Sequence, residues 1–429
     1  MKGRDTMYSQ WTTKEELLEK LTKVNHDTDI KKSGIPFTYD DENLYLNDKD
    51  THTMVIGSTG SGKTQTTVIP ELRLAIKAQE SFVLYDLKGE IYDLLSNDLE
   101  KEKYNIIKIN LSNPTNGNSF NPLTLPYKLY KEGNKDKAID IIENIGYYFL
   151  ESEVINNNTD PFWTNSAISL FTGLTLYLFE TEKEEDITIN KIVSLMDELD
   201  NIKLDSFSKN SALYINLNAV IASPPETKAS IIAVAKQLLK IFVTREQLSN
   251  LLSKTDFDIL NIQKEKTAIF IISDNKASSN RLVSLIVDEC YQAVMLNSNP
   301  ERRLNILIDE FENTFRIKDF NNILTMSRSY NVRFNIYVKS LLELKNKYGI
   351  NEYEILKLSF GNIIYLLAND IDTLEEVSKL CGKTKINDKV EPLVSIEELK
   401  LLNNFEAIIL MPRMNPIKTK LIPDYQIKW

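Results

Sequence analysis

The run from Met54 to Thr67, MVIGSTGSGKTQTT, constrains this chain more than any other stretch. Within it, Gly57-Ser58-Thr59-Gly60-Ser61-Gly62-Lys63-Thr64 satisfies the phosphate-loop pattern GxxxxGK[ST]. Glycines let the backbone fold round an anion so that its N–H groups point inward, and the start of the next helix adds a positive dipole end. Met54, Val55 and Ile56 read as the end of a buried strand, and Gln65 to Gln79 as a helix kinked or broken early by Pro70. A strand–loop–helix of this kind belongs in a parallel α/β sheet. It predicts a nucleoside triphosphate held by Gly57 to Gln65, with Lys63 reaching the β- and γ-phosphates and the Thr64 hydroxyl holding Mg²⁺.

The 429 residues suffice for two or three domains with real cores. A net charge of −10 advertises no global basic field for nucleic acid, although a basic pore fits inside an acidic exterior. The only cysteines, Cys290 and Cys381, are far apart, and the only histidines are His26 and His52. That excludes a disulfide framework and a Cys- or His-rich metal centre. No run of eighteen apolar residues and no signal peptide are visible, so the expected location is cytoplasmic, or at the inner face of the membrane through partners.

Along the chain, residues 1–32 form a polar N-terminal segment with a short amphipathic helix opened by Thr12 to Glu16, its apolar side at Leu17, Leu18, Leu21 and Val24. Residues 33–125 read as the first part of a nucleotide-binding domain. Pro36–Tyr39 and Leu44–Leu46 suggest an antiparallel preface. Ser81–Asp86 and Tyr104–Leu111 suggest buried strands, and strands alternating with helices mean a mostly parallel sheet covered on both faces. Residues 126–250 show helical spacing over 135–153, 160–181, 188–200 and 224–250, with loop-like breaks at Asn156–Asn158 and Asn201–Asn210. This predicts an inserted all-α domain whose Phe162, Trp163, Phe171, Tyr177 and Phe179 serve as core. Residues 251–429 resume the alternation, with strands at Thr267–Ser273, Leu304–Ile308, Val332–Val338, Asn362–Leu367 and Glu406–Met411.

Leu304 to Ile308 is an apolar strand followed by Asp309 and Glu310, a Walker B arrangement. Asp309 is expected to hold the water shell of Mg²⁺ and Glu310 to polarise the attacking water, which points to hydrolysis of ATP. Arg328 follows that strand by a helix length and suits an arginine finger reaching a neighbouring subunit's γ-phosphate. Basic positions at Lys345, Lys347 and Arg281 are candidate pore contacts to DNA, with solvated surface charge as the plainer reading.

Taken in order, these motifs resemble the TraG/VirD-type coupling ATPases of type IV secretion and conjugation, from about Ser33 to the C-terminus. The resemblance rests on the phosphate loop with Val68-Ile69-Pro70-Glu71, on Asp86-Leu87-Lys88-Gly89-Glu90, and on Phe120-Asn121-Pro122-Leu123. It extends to Phe162-Trp163 with Ala167, Asp309-Glu310-Phe311, Ser327-Arg328-Ser329-Tyr330 and the tail segment Thr373–Thr384. It implies a RecA/FtsK-like nucleotide-binding domain interrupted by the helical domain and assembled as a homo-hexamer. The implied partners are a relaxase or relaxosome, DNA and type IV secretion channel components.

Three departures stand out. Members of that family usually carry N-terminal transmembrane helices, so the resemblance here implies a separate membrane anchor, a soluble variant or a trimmed chain. Lys339, in Val338-Lys339-Ser340, stands where the family usually has a glutamine thought to sense the γ-phosphate. A lysine can meet that phosphate as a point charge but cannot orient water as an amide does. Leu87 replaces the proline of D-P-K-G-E. Alternative functions are a protein-docking or export ATPase without DNA translocation, and an FtsK/HerA-like DNA-pumping ATPase.

Overall fold

The computed structural model describes residues 8–151, 160–297 and 300–429. The expected break at Asn156–Asn158 lies outside them. Strands in chain order are β1 (Thr22–Val24), β2 (Ile35–Tyr39), β3 (Leu44–Asn47), β4 (Thr53–Gly57), β5 (Ser81–Asp86), β6 (Asn105–Asn110) and β7 (Thr267–Ile272). They continue as β8 (Leu304–Ile308), β9 (Val332–Val338), β10 (Asn362–Leu367), β11 (Lys383–Ile386), β12 (Lys389–Pro392), β13 (Glu406–Leu410) and β14 (Ile417–Lys420).

The central sheet has nine strands in the order β14-β13-β10-β4-β9-β8-β5-β7-β6. From β10 to β6 every pairing is parallel, while β13 and β14 add an antiparallel edge. Side chains alternate between two cores, as buried parallel strands require. On β5, Val83 and Tyr85 face one core and Phe82 and Leu84 the other. The preface is a separate antiparallel sheet, β1-β3-β2.

Helix α1 (Lys14–Leu18) is capped by Thr13 and ends at once, so Val24 belongs to β1 and not to the helix expected there. Helices α2 (Ile69–Lys77) and α3 (Glu90–Lys101) cover one face of the sheet. The helical insertion comprises α4 (Thr124–Lys131), α5 (Lys135–Leu150), α6 (Pro161–Thr181), α7 (Ile189–Leu195), α8 (Ala212–Ile221), α9 (Pro225–Thr244) and α10 (Glu246–Leu251). Helix α8 has no counterpart in the sequence reading. It lies on α6 at Gly173, where a Cβ would come within 2.7 Å of Leu217, so only glycine allows that approach. The second face of the sheet is covered by α11 (Ala277–Met295), α12 (Phe320–Ser327), α13 (Leu341–Tyr348), α14 (Ile350–Ser359), α15 (Ile371–Cys381) and α16 (Ile396–Lys400), together with the insertion.

Candidate functional site

The loop after β4 has the cradle shape its glycines permit, with φ of +81° at Gly60 and +91° at Gly62. The following helix differs from expectation. Thr64–Val68 form a wide π-turn, in which Ile69 N–H donates to Thr64 O, and α2 begins only at Ile69, with Pro70 as its second residue. The Thr66 hydroxyl donates to Gly62 O and that of Thr67 to Lys63 O (2.6 Å), which pins the turn to the loop. Lys63 is buried, and its ammonium donates to the Gly57 carbonyl and, at 3.5 Å, to that of Ser58. Burial pushes its pKa down, and the carboxylates of Asp309 and Glu312 oppose that. The Ser61 hydroxyl oxygen is buried without a hydrogen-bond partner among the described residues. A loop with an orphaned hydroxyl and an ammonium resting on carbonyls fits an oxyanion better than it fits itself.

Strand β8 brings Asp309 to this loop, with Thr64 Oγ1 3.4 Å from Asp309 Oδ2. Burial raises the pKa of Asp309, and the Lys63 charge counters it. One hydroxyl and one carboxylate are the ligands a phosphate-bound Mg²⁺ takes from protein. Among the described residues no group of three His, Cys, Asp or Glu could hold a metal ion unaided. Glu310 sits in the left-handed region at φ +47°, a strained conformation of the kind stored at functional sites.

Because β9 lies between β4 and β8, Lys339, directly after β9, emerges between the phosphate loop and the acids. Its ammonium is 3.5 Å from Glu310 Oε2 and 3.3 Å from Glu312 Oε1. Asn313 Nδ2 donates to the same Glu310 oxygen (2.5 Å). Partial burial disfavours the Lys339 charge, yet Glu312 and Glu310 outweigh it and raise its pKa. Glu312 was not among the expected site residues. Its side chain is 6% exposed and burial raises its pKa; the one sequence signal was a third acid in Asp309-Glu310-Phe311-Glu312.

Arg328 is not brought to this site. It is exposed on a 3-10 turn, Arg328–Tyr330, just before β9. The whole of β9, 7 residues, separates that turn from Lys339, and a strand of this length spans roughly 23 Å. Arg328 therefore stands at the end of the sheet opposite the chain's own phosphate loop. His52, just before β4, anchors it there: Nδ1 accepts from Phe334 N–H (3.0 Å), and Nε2 lies 2.8 Å from Leu324 O and 3.1 Å from Ser327 Oγ.

Each of the three candidate DNA contacts is engaged by partners within the chain. Lys347 is half-buried, donating to Phe311 O (2.6 Å) and Thr314 Oγ1 (2.7 Å), so it braces the turn after β8. Lys345 pairs with Glu376 at 2.9 Å. Arg281 is buried, donates to Tyr148 O (3.0 Å) and lies over the Phe315 ring. Phe162 and Trp163, expected in the helical core, are instead 45% and 38% exposed at the start of α6, whereas Phe171 and Phe179 are buried as expected.

Solved structures share this fold. The plasmid coupling protein TrwB in complex with the ATP analogue ADPNP superposes with a TM-score of 0.74 at 16% identity, covering 100% of this chain and 95% of that one. TrwB with ADP and Mg²⁺ gives 0.72 at 16% identity, covering 99% and 94%. VirB4 of Thermoanaerobacter pseudethanolicus gives 0.62 at 13% identity, covering 91% and 96%. Among curated proteins, VirD4 of Rhizobium rhizogenes and VirD4 of Agrobacterium fabrum are each 21% identical over 197 residues, or 40% of this chain. Those alignments span only 29% and 30% of the relatives' own length. Residues 4–391 match the family described as type IV secretory system conjugative DNA transfer, and with nearly the whole chain matched, the protein belongs to that family.

Proposed function

We propose that this protein is the ATP-hydrolysing coupling protein of a conjugative type IV secretion system. It takes a relaxase–DNA complex or a protein substrate and drives it to the channel. The observation that carries the proposal is the convergence of Lys63 and Thr64 with Asp309 and Glu310 at one end of the sheet, in a chain of the conjugative transfer family. TrwB structures of the same fold hold ADPNP, or ADP with Mg²⁺, which supports ATP and Mg²⁺ as ligands here.

In this reading the loop amides and Lys63 bind the β- and γ-phosphates. Thr64 and Asp309 hold Mg²⁺, which supplies neutralisation of phosphate charge. Glu310, steadied by Asn313, orients the attacking water and accepts its proton. Lys339, resting on Glu310 and Glu312, presents a point charge to the γ-phosphate. Arg328 acts only in trans, which suits a homo-hexameric ring.

A second reading, a docking ATPase that captures protein cargo through the helical insertion, is favoured by the exposed Phe162–Trp163 pair, whose ring centroids are 5.1 Å apart. The test is ATPase activity with and without single- and double-stranded DNA, with Lys63→Ala as the blank. DNA is expected to raise turnover several-fold, and the gain to fall steeply with added salt, because phosphate contacts release counterions. Hydrolysis indifferent to DNA would move the docking reading ahead. An active Lys63→Ala protein would overturn the site itself.

A further inference from the structure

Asp309 and Glu310, directly after β8, set the γ-phosphate end of a bound nucleotide on the β9–β8 side of the phosphate loop. The other side of β4 is flanked by β10 and then β13. Leu367 of β10 pairs with Gly57, and β13 runs antiparallel to β10, with Tyr365 opposite Ile408. The start of β13 therefore lies at the end of the sheet where β4 enters the phosphate loop. The turn that leads into it, Leu401 to Phe405, arrives at the loop's rim.

There the ring of Phe405 touches the loop. A Cβ on Gly62 would lie 3.0 Å from two carbons of that ring and 3.8 Å from the Thr66 methyl. Phe405 is half-buried and has φ +68°, in the left-handed region that bulky residues avoid. Surrounding bonds hold it so. Leu421 N–H donates to Phe405 O (2.8 Å), Glu406 N–H donates to Asn403 O (3.0 Å), and Asn403 N–H donates to Glu406 Oε2 (3.0 Å). A strained aromatic pinned at a ligand loop is the kind of feature binding sites retain. Its neighbours Leu402, Asn403, Asn404 and Glu406, with Lys420, line an open cavity of about 660 Å³. The two asparagines are exposed, and each amide offers both donors and an acceptor, as the edge of a nucleobase requires.

We infer that Phe405 and the amide-bearing turn before it form a nucleobase subsite, with the ring as the stacking face for a purine whose phosphates lie in the Gly57–Thr64 loop. The inference rests on nucleotide binding at that loop and adds the residues that grip the base.

The test measures affinity for Mg²⁺·ADP and for Mg²⁺·tripolyphosphate, which lacks a base, in wild type, Phe405→Ala, Phe405→Trp and Lys63→Ala. Losing one base–aromatic stack should weaken ADP about tenfold in Phe405→Ala, leave tripolyphosphate unchanged, and spare ADP in Phe405→Trp. An equal loss of both ligands in Phe405→Ala would mean that the ring only props Gly62, and no loss of either would mean that the base lies elsewhere; both overturn the inference. Lys63→Ala should lose both ligands. If it keeps both, the nucleotide reading has failed rather than the base subsite.

Discussion

His52 links the strand that feeds the phosphate loop to the segment that carries Arg328, and acid should break that link. Since Nδ1 accepts the Phe334 N–H, the ring's single proton is on Nε2, facing Leu324 O. A second proton would point at an amide donor. Burial is the main force lowering the pKa, from 6.5 to about 4; the charges of Arg328 and Arg333 lower it further, and the Leu324 bond opposes them. A depressed folded-state value means that the unfolded chain binds the proton first. The stability His52 contributes is complete above pH 6.5 and drains away as pH falls towards 4. The shift corresponds to about 3 kcal/mol in all, of which about 2 kcal/mol is gone at pH 5. Urea unfolding of wild type and His52→Gln at pH 7.5 and pH 5 isolates the residue from other titrating groups such as the buried Asp288. The gap between the two proteins should shrink by about 2 kcal/mol at the lower pH. A gap of the same size at both values would refute the neutral, doubly engaged imidazole.

Two other perturbations test long-range placement. Arg328→Ala should bind ATP normally yet lose hydrolysis by about a thousandfold, the scale of an arginine finger; mixing it with inactive Lys63→Ala should restore turnover, and failure to complement would rule out action in trans. Glu71, fully buried behind the loop on α2, accepts from Arg333 (2.7 Å), Asn335 (2.5 Å) and Tyr337 (3.1 Å). Glu71→Ala strands the buried Arg333 charge and should cost about 3–5 kcal/mol in urea unfolding, whereas a cost below about 1 kcal/mol would show that the network is slack.

What the chain declares on its own is local. The phosphate loop is eight consecutive residues whose shape follows from their own φ freedom. The strands around it announce themselves as short apolar runs, and Asp309-Glu310 stands at the end of one of them. Most helices between β6 and β7 are legible in spacing, but α8 is not, because its packing depends on a gap at Gly173 of another helix. Charged residues were the least legible. Lys345, Lys347 and Arg281 looked alike along the chain, yet their partners lie far away in sequence: Glu376, the turn Phe311–Thr314 and Tyr148. Only the strand order decides that Lys339 falls between the loop and its acids while Arg328, eleven residues earlier, faces away at the opposite end of the sheet. Periodicity reports which side of an element is buried. Which elements become neighbours is set by the packing of the whole sheet, and that is where the second half of this site is made.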